Sequence, residues 1–238
     1  MRLAILNTCD DDSEYAKAYP DDGARFAALL GAVRPGWAFE SFKVFENDFP
    51  ERPEAFDGFL VTGSPASVND GTKPWIGRLF AFLRDRHEER RPLFGACFGH
   101  QAIAKALGGA VGPNPGGCAL GITETRFHAR KPWMDPAREA FGLYSANYEQ
   151  VTALPPGAEA VASDSVCPAA SFAIGDHVFT TQYHPEMKPD FVADMIDHMV
   201  EDVPPEVIAK GRADLAREAE GPAFAEWMAR FFEHAAAR

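Results

Sequence analysis

Residues Leu93-Phe94-Gly95-Ala96-Cys97-Phe98-Gly99-His100-Gln101 form a short apolar run that breaks at glycine, presents one cysteine and continues into helix-forming residues. This is the pattern of a nucleophile elbow, a strand that turns directly into a helix with the reactive side chain at the corner. Glycines two residues before and two after Cys97 predict a tight, strained backbone that projects the sulfur at the mouth of a sheet. Farther along, the apolar segment 178–183 runs straight into His184-Pro185-Glu186. A nucleophile, a base and an acid to orient the base are therefore all available.

The first hundred residues alternate between strand and helix signals. Residues 3–6 are a continuous apolar strand; Asp21-Asp22-Gly23 offers N-cap chemistry to a helix over 24–33; 37–45 and 56–61 read as strands; and Pro74 opens a helix over 74–87 with Ile76, Leu79, Phe80 and Leu83 on one face. Leu93 and Phe94 form the strand before the elbow. Such alternation predicts an α/β fold whose parallel sheet is covered on both faces, with ligands at the carboxyl ends of the strands. Residues 7–12, 63–67 and Cys97 all follow predicted strands, so all three are expected around one site. After Gly108-Gly109 the segments shorten: 120–127, 144–151, 158–162, 169–174 and 178–183 read as antiparallel or mixed strands, with Gly175-Asp176 as a hairpin turn. A helix over 191–200 ends before Val203-Pro204-Pro205, and two amphipathic helices follow at 206–218 and 222–237. The expected organisation is one domain over 1–203 and a C-terminal helical extension over 204–238.

Composition narrows the function. The chain of 238 residues is 46% hydrophobic and 24% charged, a globular balance, and its net charge of −12 argues against nucleic acid. The arginines 84, 86, 90 and 91 are interleaved with Asp85, Glu88 and Glu89 and read as a solvated helix end. No stretch approaches membrane-spanning length, and the apolar run at the N-terminus is too short for a signal peptide. Cys9, Cys97, Cys118 and Cys167 form no C-x-x-C pair, so neither zinc nor a disulfide framework is expected, and a reducing cytoplasm is the expected compartment. His128, His177 and His198 lack metal-ligand spacing, His100 reads as helix-start packing, and no metal or cofactor is called for.

A thiol needs a base or a positive field to become thiolate, and His184 can supply it. Glu186 lies two residues on, so in an extended segment it points to the same side and can hold the imidazole. An oxyanion would need two donors: the N–H of Phe98, and one from the turn Gly63-Ser64-Pro65, where Pro65 has none and Ser64 remains.

The segment from Gly95 to Gln101 resembles the G-x-C-x-G-x-Q signature of class I glutamine amidotransferases, and Gln182-Tyr183-His184-Pro185-Glu186 resembles their Q-F-H-P-E. Thr62-Gly63-Ser64-Pro65-Ala66-Ser67 is similar to their G-G-P-x-S oxyanion loop, and 151–162 to their V-x-x-L-P-x-G segment. The resemblance spans residues 1 to about 200. It implies a mixed, mostly parallel sheet flanked by helices in a flavodoxin-like three-layer arrangement, and cleavage of a γ-glutamyl amide through a Cys97 thioester. His184 would act as base and then acid, Glu186 would orient it, and Gly63, Gln101, Ser145, Ala146 and Asn147 would bind the substrate. Asn147 and Glu149 depart from the S-H-x-D-x-V of many members, and Ala119 replaces the acid of G-x-E-x-G.

No G-x-x-x-x-G-K-[ST] loop is present. The expected activity is glutamine hydrolysis with ammonia passed to an acceptor on a separate synthase subunit; the alternative is a self-contained γ-glutamyl peptidase acting on glutathione-like compounds. A non-catalytic regulator and a cysteine-elbow chaperone or deglycase rank below both. The helices after Pro205 fit a dimerisation surface, a lid or a synthase docking site equally well. The run Asp10-Asp11-Asp12 reads as a solvated loop, or as one that overhangs the pocket and selects against anions or recruits a cation.

Overall fold

The computed structural model describes residues 1–238. The first half runs β1 (Arg2–Asn7), α1 (Glu14–Lys17), α2 (Asp22–Val33), β2 (Ala38–Lys43), β3 (Gly58–Val61), α3 (Pro74–Glu88), β4 (Leu93–Ala96) and α4 (Phe98–Ala106). The second half runs β5 (Ala110–Pro113), β6 (Ala119–Phe127), β7 (Ala140–Asn147), β8 (Glu149–Ala153), β9 (Ala158–Ser163), β10 (Ser171–Ile174), β11 (Val178–Thr181), α5 (Pro189–His198), α6 (Pro205–Asp214) and α7 (Gly221–Ala236). As its position suggests, Asp21 caps α2 by accepting the Ala24 N–H at 2.8 Å.

Nine strands form one sheet in the order β2-β1-β3-β4-β11-β10-β9-β6-β7. The first five are parallel neighbours and the remainder pair antiparallel, so this α/β sheet is mixed. Both faces are covered. Leu3 and Ile5 of β1 pack on one side with Phe26 and Leu30 of α2, and Ala4 and Leu6 on the other with Leu79 and Leu83 of α3. Burial on both faces is why β1 reads as an unbroken apolar run rather than an alternation. The C-terminal helix α7 joins the first of these layers. Its Phe224, Trp227, Met228, Phe231 and Phe232 are fully buried among Phe127, Trp133, Phe141 and Phe179, with Trp227 edge-on to Phe141 at 4.8 Å. Each such side chain contributes about 1.5–3 kcal/mol.

Three local expectations change. The strand foreseen over 37–45 ends at Lys43, and Val44–Glu46 form a 3-10 turn that closes on a left-handed Asn47 with φ 64°. Residues 144–151 are not one strand: β7 stops at Asn147 and β8 starts at Glu149 in a separate two-stranded sheet. The partner in that sheet, β5, carries Gly112 and Pro113 and has no strand signal in its sequence. The cause is tertiary: Asn114 donates its N–H to the Tyr148 carbonyl at 2.8 Å, pulling the chain out of the main sheet at that residue.

Candidate active site

Thr181 on β11 pairs with Ala96 on β4, and Val61 on β3 pairs with Gly95. The register brings the residues that follow these strands, Thr62 to Ser64, Cys97 to Phe98, and Gln182 to His184, to one edge of the sheet. Cys97 has φ 50° and ψ −108°, a left-handed conformation that costs a non-glycine residue roughly 1–3 kcal/mol. The turn is held by its neighbours: the Cys97 N–H donates to the Thr181 carbonyl at 2.9 Å, and the Gly99 N–H to the Thr62 carbonyl at 3.0 Å.

The flanking glycines are needed for approach and not for their own dihedral angles. A Cβ on Gly95 would lie 2.5 Å from the Gly99 carbonyl group, and one on Gly99 would lie 2.8 Å from Val61 Cβ, with the Val61 carbonyl oxygen closer still. The positive φ falls on the cysteine itself. Phe98 is the first residue of α4, so its N–H has no intrahelical acceptor and points out of the helix start.

His184 and Glu186 meet as their spacing predicts. Nδ1 and Oε1 are 2.6 Å apart, with the two side chains 5% and 0% exposed. A carboxylate only accepts, so the Nδ1 proton is committed to Glu186 and the other ring nitrogen is the one available to Cys97. Burial would push the imidazole down, but the Glu186 charge together with the charge and hydrogen bonding of Cys97 raise it to about 10. The His184 N–H donates to the Tyr144 carbonyl at 2.8 Å, tying the ring's backbone to β7. Gly63 lies under the ring: a Cβ there would be 2.7 Å from His184 Cε1. The other thiols are poorer candidates, because burial pushes Cys9 and Cys118 upward and Cys167 to about 12. A thiol beside a protonated imidazole has the equipment for nucleophilic attack on a carbonyl.

The remaining expected residues divide. Gly63 is buried and Ser64 half-buried on the loop after β3, and the Thr8 hydroxyl fixes that loop by donating to the Gly63 carbonyl at 2.8 Å. The Ser145 hydroxyl donates to the Gly121 carbonyl at 3.1 Å and accepts from Thr123 Oγ1 at 3.0 Å, so it is used within the β6–β7 pair. Ala146 is half-buried, and Asn147 donates Nδ2 to the Glu149 carbonyl at 3.1 Å, leaving its buried Oδ1 without a partner. Gln101 is drawn toward β8, with Nε2 on the same carbonyl at 2.8 Å.

His100 is packed, as expected: it is fully buried with Nδ1 2.8 Å from Thr180 Oγ1, and burial lowers it to about 3. Two carboxylates of the acidic run are already engaged. Asp10 pairs with Lys73 at 2.5 Å, and Asp11 accepts from the Ser13 N–H and the Tyr15 hydroxyl, each at 2.9 Å.

Two residues at the site were not among the sequence candidates. Thr8 belongs to the segment after β1, whose position already pointed there. Gln182 is fully buried, and its Nε2 lies 3.7 Å from Cys97 Sγ. The signals available were its place at the head of the matched Gln182–Glu186 segment and period two, since residues 182, 184 and 186 share one side of an extended segment. A cavity of about 410 Å³ lies elsewhere, with Asp57, Pro92 and His177 at the amino ends of β3, β4 and β11, and includes none of these residues.

Comparison with known proteins identifies the family and the fold. The model of the family described as glutamine amidotransferase class-I matches residues 38–196. γ-Glutamyl peptidase 3 of Arabidopsis thaliana is 29% identical, over 84% of this chain and 82% of the relative. A γ-glutamyl-L-1-hydroxyisopropylamide hydrolase of a Pseudomonas species is 28% identical, over 84% of this chain and 75% of its own. A crystal structure of a glutamine amidotransferase from Thermotoga maritima superposes with a TM-score of 0.76 at 16% identity, covering 98% of both chains, which shows the shared fold. The chain belongs to the class I glutamine amidotransferase family.

Proposed function

We propose that this protein hydrolyses a γ-glutamyl amide bond, with Cys97 as nucleophile, His184 as acid and base, and Glu186 orienting His184. The Cys97 thiolate attacks the γ-carbonyl carbon, and the N–H groups of Phe98 and Ser64 receive the developing oxyanion; a donor of this kind is worth roughly 10²–10³ in rate. His184 then gives its proton to the leaving nitrogen, the C–N bond breaks, and a thioester remains on Cys97. Water then attacks the thioester carbonyl and gives one proton to His184. The C–S bond breaks, the Cys97 thiolate leaves, the γ-carboxylic acid loses its remaining proton to solvent, and the thiolate–imidazolium pair is restored.

The observation that carries this reading is the buried 2.6 Å His184–Glu186 pair at the same sheet edge as a cysteine with φ 50°. The leaving group is a second question. Expected ammonia release to a separate synthase subunit is one answer; hydrolysis of a larger γ-glutamyl amine is the other, and the activities for which the Arabidopsis and Pseudomonas relatives are named favour it. Glutamate release from glutamine and from γ-glutamyl dipeptides, assayed side by side, separates the two. Cys97→Ala is expected to abolish release from every substrate while leaving the thermal midpoint nearly unchanged. Retained turnover by that variant would refute the assignment.

A further inference from the structure

Gln182 sits in a buried polar chain whose hydrogen-bond directions are all determined. The Glu149 carbonyl can only accept, so the Gln101 side-chain nitrogen must face it, at 2.8 Å. That same nitrogen is 3.2 Å from Gln182, so the Gln182 atom it meets is the oxygen. The Gln182 nitrogen is thereby turned to Cys97 Sγ, 3.7 Å away. Asn147 closes the chain by donating its own Nδ2 to the Glu149 carbonyl at 3.1 Å. Gln101 and Gln182 are 4% and 0% exposed, so water does not compete for these groups.

The backbone leaves Gln182 little freedom. It follows the last paired residue of β11, Thr181, whose carbonyl accepts the Cys97 N–H at 2.9 Å, and its own N–H donates to the Ala170 carbonyl at 2.7 Å. An amide N–H held against sulfur in a buried site favours the anion over the thiol, because an ionised acceptor strengthens the bond it receives. We infer that Gln182 is a second, charge-neutral activator of Cys97, and that Gln101 and Asn147 act through the Glu149 carbonyl as positioning residues that keep its N–H turned to the sulfur. This rests on the reading of Cys97 as nucleophile. It also gives the unusual Asn147 to Glu149 segment a part in holding the nucleophile's surroundings.

The test is the pH profile of Cys97 alkylation by iodoacetamide in the full-length protein, followed by mass spectrometry, which needs no substrate. Gln182→Met keeps the volume and removes the donor. Gln182→Glu replaces the donor with an acceptor and serves as the second variant should the first unfold. Each is expected to move the alkylation midpoint upward by about one pH unit, slowing alkylation about tenfold at pH values below the wild-type midpoint, with the larger effect in Gln182→Glu. Gln101→Met, which frees Gln182 to turn, is expected to shift the midpoint in the same direction by less. Folded Gln182 variants with an unmoved midpoint would overturn the inference, and an unmoved midpoint in Gln101→Met alone would overturn the positioning role. If wild type cleaves no γ-glutamyl substrate yet the Gln182 shift is present, the proposed function fails and this inference stands. If wild type is an active hydrolase and the shift is absent, the proposed function stands and this inference fails.

Discussion

The two sides of the site are built differently. On the nucleophile side, β3, β4 and β11 are buried at every residue, and backbone meets backbone with no room for a Cβ. On the side formed by the end of β7 and by β8, buried and more exposed positions mix, and Tyr148 at the crossover is half exposed. Departures from the family motif, Asn147 and Glu149, fall on this second side. Strain at Cys97 is sustained because parallel neighbours determine the backbone from both flanks; the looser side has room to vary what it holds.

The largest expected effect breaks that comparison directly. Gly99→Ala would press a methyl group into the Val61 backbone, and β3 would have to move away from α4. Overpacking commonly costs about 1–3 kcal/mol, and a clash with backbone belongs at or beyond the top of that range. The matched change on the looser side is Gly112→Ala in β5, where the nearest atom is Thr152 Cγ2 at 3.4 Å. It is expected to alter stability by less than about 0.5 kcal/mol. Denaturant melts of the two variants read the difference, and equal losses would mean that the two sides are equally tight.

What could be read from sequence follows the same division. β1, β3, β4 and β11 are apolar runs bounded by turn signals, so the parallel half and the elbow were legible. Residues 144–151 read as one segment straight through a break that the pairing of β8 with the distant β5 and the Asn114 N–H impose. The glycines around Cys97 were visible, but their reason was not: a sequence shows where flexibility is permitted, whereas the structure puts the unusual φ on Cys97 and uses Gly95 and Gly99 for contact. Gln182 was visible in the matched Gln182–Glu186 segment, but its place against Cys97 was not, because only the fold shows it buried with Nε2 turned to Sγ. The helix α7 was visible as amphipathic, but that it fills the layer over Phe179 required the sheet order.

A smaller effect, confined to chemistry, should come from Gly63→Ala. Its added methyl would meet His184 Cε1 at 2.7 Å, and the imidazole is the only group that must yield. Displacement of a reacting group by about 1 Å costs roughly 10²-fold in rate. Turnover of γ-glutamyl substrates is therefore expected to fall by about that factor, with the melting temperature nearly unchanged. A variant that keeps full activity would show that the ring tolerates displacement and that the tightness of this side does not serve catalysis.

The smallest effect is electrostatic and carries a definite sign. His184 is raised from an unfolded value near 6.5 to about 10 by Glu186 and Cys97, against the penalty of burial. A base with a raised folded value binds its proton more tightly when folded, so its contribution to stability is complete below about pH 6.5 and is lost as pH rises through about 10. Glu186→Gln removes the carboxylate that does most to raise it. The melting temperature of wild type should exceed that of the variant near neutral pH, and the gap should narrow steadily toward pH 10, at roughly 2–4 °C for each kcal/mol lost in a protein of this size. Other groups that titrate in this range are common to both proteins and cancel in the difference. A gap that stays constant with pH would mean that Glu186 holds the ring by shape alone, and that the charge on this side of the site is not coupled to the fold.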